Sequence, residues 1–159
     1  MLEFSDKGYH YFEPKPNRLV GGVLRWLNRR LYLPGKEHRI DEVEIMNPEV
    51  VAHALDRVGH RLLLLPNHPT HSDPQVMVET FRQLKLNASF MAAYDVFLRS
   101  GLTAWCMQRM GCFSVDREGS DRASMKEAIR ILNEGQRALT IFPEGNVYLT
   151  NDRVTPFLE

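Results

Sequence analysis

The chain has 159 residues, 43% hydrophobic and 25% charged, which suits one domain with a real core and excludes a disordered chain. Its formal charge is zero, yet residues 1–39 hold 8 Lys/Arg against 4 Asp/Glu and residues 40–159 hold 12 against 16, so the basic end is the N-terminus. No apolar run reaches the length of a membrane span, the opening "MLEFSDKGYHYFEPKPN" is too polar for a signal peptide, and Cys106 and Cys112 fit neither a zinc pattern nor a disulfide framework.

The expectation is a cytoplasmic protein with reduced cysteines, able to sit peripherally on the cytoplasmic face of a membrane. After a loop-like first 17 residues, "RLVGGVLRWLNRRLYLPG" sets Leu19, Val20, Val23, Leu24, Leu27 and Leu31 at helical spacing, with Arg18, Arg25, Arg29 and Arg30 between them. This predicts a basic amphipathic helix over residues 18–33. Its stripe either lies in a membrane interface, its arginines near anionic headgroups, or docks on its own domain. "NPEVVAHALDRVG" predicts a short helix with Asn47 as cap, Pro48 in the first position and Gly59 past its end.

From residue 61 strands and helices alternate. "RLLLL" (61–65), "ASFMAAY" (88–94), "CFSVD" (112–116) and "ALTIF" (138–142) are apolar runs suited to buried strands. "PQVMVETFRQLKL" reads as helix, as does "DVFLRSGLTAWCMQRMG", with Gly101 as a weak point and Gly111 as the stop. "SDRASMKEAIRILNEG" is the clearest helix, capped by Ser120 or Asp121, with Met125, Ala128, Ile129 and Leu132 on one face and Gly135 closing it. The alternation predicts an α/β fold, a mostly parallel sheet with helices on both faces. Residues 1–39 make an N-terminal loop and basic helix, and residues 40–159 the α/β domain.

In such sheets ligands bind outside the carboxyl ends of the strands, and three polar clusters fall there. Strand 61–65 leads into Asn67, His68, His71 and Asp73; strand 112–116 into Asp116 and Arg117; strand 138–142 into Pro143, Glu144 and Gly145. In "NHPTHSDP" the Ser72 to Gln75 spacing fits a capping box, which would release Asp73 from capping. Its carboxylate, five residues after His68, could then hold one imidazole nitrogen and leave the other to accept a proton. The plainer alternative is that Asp73 caps the helix and His68 is a loop histidine. An H-x4-D pair alone is weak; its context carries the weight.

Other chemistries fit less well. His68, His71 and Asp73 could supply three metal ligands, but the histidines stand at 10, 38, 53, 60, 68 and 71, so the later strands add none and no metal is expected. There is no G-x-S-x-G elbow, and phosphate-loop and dinucleotide fingerprints are absent. What remains is a general base without a protein nucleophile, so an alcohol or a water would be the nucleophile.

"NHPTHSD", then "GCFSVDR" (111–117), then "FPEG" (142–145), in this order and spacing, resemble the first three sequence blocks of the glycerolipid acyltransferases, the family of 1-acyl-sn-glycerol-3-phosphate acyltransferase. The resemblance covers roughly residues 60–158. It implies acyl transfer from acyl-CoA or acyl carrier protein, as substrate and with no cofactor, to the hydroxyl of a lysophospholipid or related alcohol in phospholipid biosynthesis. His68 would be the base and Asp73 its orienting partner. Asn67, in the first block, would contact substrate, Arg117 would hold an acceptor phosphate, and Glu144 and Gly145 would serve acceptor binding. His71 is a variable position of the motif and receives no role. The bland readings are a surface ion pair for Arg117 and a loop carboxylate and turn glycine for Glu144 and Gly145.

The chain departs from the family in two places. Asn146, Val147 and Tyr148 follow "FPEG" where many members have Thr-Arg-Ser, the next arginine being Arg153, which bears on the phosphorylated acceptor. The chain also ends at "TPFLE", before a fourth, proline-containing block, so an incomplete acyltransferase domain is expected. Two other classes stay open: a thioester hydrolase on the same scaffold, and a non-catalytic membrane-binding module that would need Arg25, Arg29 and Arg30 but not His68. Nucleic acid is not among the expected partners.

Overall fold

The computed structural model describes residues 8–117, 119–145 and 147. Asn146, Tyr148 and Arg153, and the end of the chain, lie outside the described residues.

The four apolar runs form β1 (Leu63–Leu64), β2 (Ala88–Ala93), β3 (Phe113–Val115) and β4 (Ala138–Thr140). Every pairing is parallel, in the order β1-β4-β2-β3, with Leu139 opposite both Leu63 and Ser89, and Ala92 opposite Ser114. Side chains alternate across the sheet and build two apolar clusters. Ala88, Phe90 and Ala138 meet Phe81 of α3 (Asp73–Gln83), Phe97 of α4 (Tyr94–Leu98) and Ala104 of α5 (Gly101–Met110). On the other face Phe113 and Leu139 meet Ala128 and Ile131 of α6 (Arg122–Glu134). This is an α/β fold with helices on both faces, as the alternation predicted. Burying runs such as "ALT" from both sides is what allows them to be continuously apolar.

Local punctuation holds at several ends and fails at others. Gly111 and Gly135 close α5 and α6 with φ of 91° and 64°, where other residues are strained, and a Cβ on Gly111 would also stand 2.7 Å from the Arg137 guanidinium and displace it. Asn47 precedes α2 (Pro48–Val58) but is left-handed, with φ 56°, and its side chain makes no capping bond. The segment expected as one helix over 95–111 is two, because Ser100 is extended and its Oγ accepts the Thr103 N–H at 3.0 Å, starting a new helix at Gly101.

The buried lines of α6 and α1 (Arg18–Leu27) are also rotated from the expected stripes. Met125 and Ile129 are exposed, while Ser124, Ala128 and Ile131 face the sheet. Ser124 is buried with its one hydroxyl proton shared between Asp121 Oδ2 at 2.8 Å and the Ser114 carbonyl at 3.1 Å. In α1, Leu19 and Val23 point outward, and Leu31, in the π-helical turn Asn28–Tyr32 that follows, does the same. The buried positions are Gly21, which lets the helix approach the Arg109 carbonyl of α5, and Asn28, whose amide donates to the Gln75 carbonyl of α3 at 2.9 Å.

The N-terminal segment lies along β3, an edge strand. Ser114 N–H donates to the Phe12 carbonyl at 3.1 Å, Phe12 N–H donates to Ser114 Oγ at 2.8 Å, and the Tyr9 hydroxyl donates to Asp121. Covering an edge in this way protects its free backbone groups. Asp121 also caps α6 through the Ala123 and Ser124 N–H groups, both at 3.0 Å. Burial opposes its ionisation, but the bonds from Ser124, Tyr9 and the Asp116 N–H prevail and hold its carboxyl below the usual range. A depressed carboxyl stabilises fully above its unfolded pKa, about 3.9, and loses that contribution as the pH falls through the folded value. Asp121→Ala is therefore expected to cost about 1–2 kcal/mol at pH 7, as a lost cap does. In urea unfolding the gap to wild type should shrink below pH 4; an equal gap at pH 3 and pH 7 refutes this role.

Candidate active site

The three polar clusters fall after the carboxyl ends of β1, β3 and β4, on one edge of the parallel sheet. The loop from β1 carries His68 on its way to α3, which begins at Asp73, and Pro74 in the first turn needs no N–H partner there. The predicted capping box does not form. Ser72 is helical, with φ −84° and ψ −13°, and its hydroxyl pairs with His38 Nδ1 at 2.8 Å instead of capping, while Gln75 Oε1 is buried without a hydrogen bond.

Asp73 is held by other means. Its Oδ2 accepts the Thr70 N–H at 2.8 Å and its Oδ1 accepts the Thr70 hydroxyl at 2.7 Å. The same Oδ2 lies 2.8 Å from His68 Nδ1. An ionised carboxylate can only accept, so the proton of this bond belongs to Nδ1 and the lone pair stands on Nε2. The imidazole stacks on Phe142 with ring centroids 4.2 Å apart and an interplanar angle of 24°. The two side chains are only 15% and 19% exposed, so His68 is fixed in orientation as well as in tautomer.

The second and third clusters are joined directly. Arg117 Nη1 donates to the Gly145 carbonyl at 2.7 Å and Nη2 to Asp95 Oδ1 at 2.9 Å, with the arginine side chain 18% exposed. Gly145 has φ 65°, and its N–H closes a turn onto the Phe142 carbonyl at 3.1 Å. Glu144 is buried, while Asn67 and His71 are exposed. The turn 142–145 is thus a hub: Phe142 backs His68, and Gly145 receives Arg117. Cys112 is no competing nucleophile, because burial pushes its thiol up to about 12. Among the described residues no group of three or more His, Cys, Asp or Glu is arranged to hold a metal ion.

A family model described as acyltransferase matches residues 42–158, nearly three quarters of the chain, including every site residue expected from the sequence. The chain belongs to the acyltransferase family. No curated protein and no solved structure matches the chain. The family supports the glycerolipid acyltransferase likeness of the three blocks, and an acyltransferase takes an acyl donor and an acceptor. Among its described residues no helix is long and apolar enough to cross a membrane.

Four residues of the candidate site were not singled out from sequence. Thr70 and Phe142 lie inside the quoted blocks, and a Thr three residues before an Asp is a spacing that could have been read. Asp95 and His38 come from other elements, and nothing local marks them.

Proposed function

We propose that this acyltransferase transfers an acyl group from acyl-CoA or acyl carrier protein to the hydroxyl of a lysophospholipid, of the 1-acylglycerol-3-phosphate kind, in phospholipid biosynthesis. His68 Nε2 takes the proton of the acceptor hydroxyl as its oxygen attacks the thioester carbonyl. Asp73 stabilises the imidazolium that forms. The tetrahedral oxyanion collapses, the C–S bond breaks, and the thiolate leaves with the proton held on His68. The products are the acylated acceptor and a free thiol, with no acyl-enzyme. Arg117 serves the acceptor phosphate, and Asn67, Glu144 and Gly145 line the acceptor side.

One observation carries this reading. The turn 142–145 backs the His68–Asp73 pair with Phe142 and receives Arg117 at Gly145, so a base and an anion-binding group are held by one structural unit. The test is thiol release from a long-chain acyl-CoA, with and without lysophosphatidate vesicles, by wild type and His68→Ala. Release that needs both the acceptor and His68 supports acyl transfer. Acceptor-independent release that still needs His68 would indicate a thioester hydrolase, and release indifferent to His68 sinks both.

The protein is placed by this proposal on the cytoplasmic face of a membrane. Leu19, Val23, Trp26, Leu31 and Tyr32 are 58–84% exposed beside Arg18, Arg29 and Arg30. Helix α5, which packs on α1, adds exposed Leu102 and Trp105, the latter under the Arg109 guanidinium at 5.6 Å. An apolar face rimmed by arginines suits the interface of an anionic bilayer. In a Trp105→Phe protein, Trp26 emission should shift to the blue on vesicles containing anionic lipid, and Arg18→Ala or Arg30→Ala should each weaken binding roughly fivefold, about 1 kcal/mol per cation. Unchanged emission, or equal binding to neutral vesicles, refutes the placement.

A further inference from the structure

Asp95 belongs to none of the three sequence blocks. It follows the end of β2 at the start of α4, and its Oδ1 accepts from Arg117 Nη2 at 2.9 Å. Arg117 follows β3, and its Nη1 reaches the Gly145 carbonyl beyond β4 at 2.7 Å. One guanidinium therefore bridges the carboxyl ends of β2, β3 and β4. A bond on each terminal nitrogen fixes both the direction and the tilt of the guanidinium plane, and bidentate recognition of a phosphate depends on that plane. A free arginine side chain samples many rotamers, so a phosphate meeting one must first order it.

We infer that Asp95 is a positioning residue, which holds Arg117 in the orientation that receives the acceptor phosphate. The inference rests on the proposed function. Two opposed effects operate at Asp95: its charge repels an incoming phosphate, and its hydrogen bond aligns the fork. Alignment wins, because the Asp95 charge is already paired with Arg117 through the 2.9 Å bond, whereas a charge-assisted hydrogen bond weakens steeply with angle. A merely exposed ion pair would do neither and would leave catalysis untouched.

The experiment compares wild type, Asp95→Ala and Asp95→Asn with acyl-CoA and lysophosphatidate as the varied substrates. Asp95→Ala is expected to raise KM for lysophosphatidate about tenfold, leaving KM for acyl-CoA and kcat within about twofold. Asp95→Asn keeps an acceptor oxygen for Nη2 and should recover most of the loss. Arg117→Ala combined with Asp95→Ala should be no worse than Arg117→Ala alone, because Asp95 acts only through the arginine. A fall in kcat at constant KM, additive losses, or three indistinguishable proteins overturn the inference. Failure of the functional reading is seen separately, as wild-type thiol release that ignores lysophosphatidate or survives His68→Ala. In that case lysophosphatidate affinity, measured by calorimetry on the same three proteins, decides the role of Asp95: a loss in Asp95→Ala restored by Asp95→Asn supports it, and equal affinities refute it.

Discussion

His68→Ala is expected to lower kcat for acyl transfer by about 10²–10⁴-fold, the usual worth of a positioned general base. A lipid hydroxyl is almost wholly protonated near neutral pH, so without a base the attacking oxygen must shed its proton to water while attacking. The thioester needs no activation of comparable size. KM for lysophosphatidate should move little, since Arg117 keeps its bonds to Gly145 and Asp95. The fold should also persist: Asp73 keeps both bonds from Thr70, and the loss falls on one side chain stacked against Phe142. Thiol release at saturating acceptor, together with melting followed by circular dichroism, checks the expectation. A variant that melts like wild type and retains more than a tenth of its kcat excludes His68 as the base.

Asp73→Asn should cost nearly as much, for a different reason. The carboxylate receives three donors, Thr70 N–H, the Thr70 hydroxyl and His68 Nδ1–H, and an amide has one acceptor oxygen and an NH2 group. If that oxygen stays with Thr70, the NH2 faces Nδ1 and the imidazole must carry its proton on Nε2. The lone pair then points away from the acceptor, and no carboxylate remains to stabilise the imidazolium. A loss of about 10²-fold or more is expected, by the tautomer argument known for buried His–Asp pairs. Nitrogen NMR of His68 should show the proton moving from Nδ1 to Nε2. Full activity with an unchanged tautomer would mean that Asp73 matters only for the start of α3.

The order of strands and helices was legible because each signal is local. Short apolar runs of five to seven residues between Gly, Pro and polar clusters mark the strands, although β1 is not buried as expected, Leu63 and Leu65 being half exposed, and Asp121, Gly111 and Gly135 act within a turn of where they stand. The first, second and third blocks follow strand ends for the same reason: once the strands are parallel, whatever follows them reaches one edge. Faces were less legible. The stripes of α1 and α6 were drawn through their largest apolar side chains, yet a glycine, an asparagine and a serine occupy the buried line. Close backbone approach and a satisfied hydroxyl outweighed side-chain area there, and neither is visible in hydropathy.

By itself the sequence determined the α/β class, the parallel sheet and the edge at which the three polar clusters meet, since these follow from periodicity and turn residues read a few positions at a time. Only the tertiary structure decided the strand order β1-β4-β2-β3, the stacking of Phe142 on His68, the pairing of Ser72 with His38, and the bridge from Asp95 through Arg117 to Gly145. The side-chain contacts join residues 22 to 74 positions apart. No local pattern encodes them, because their geometry exists only after the strands have been brought side by side.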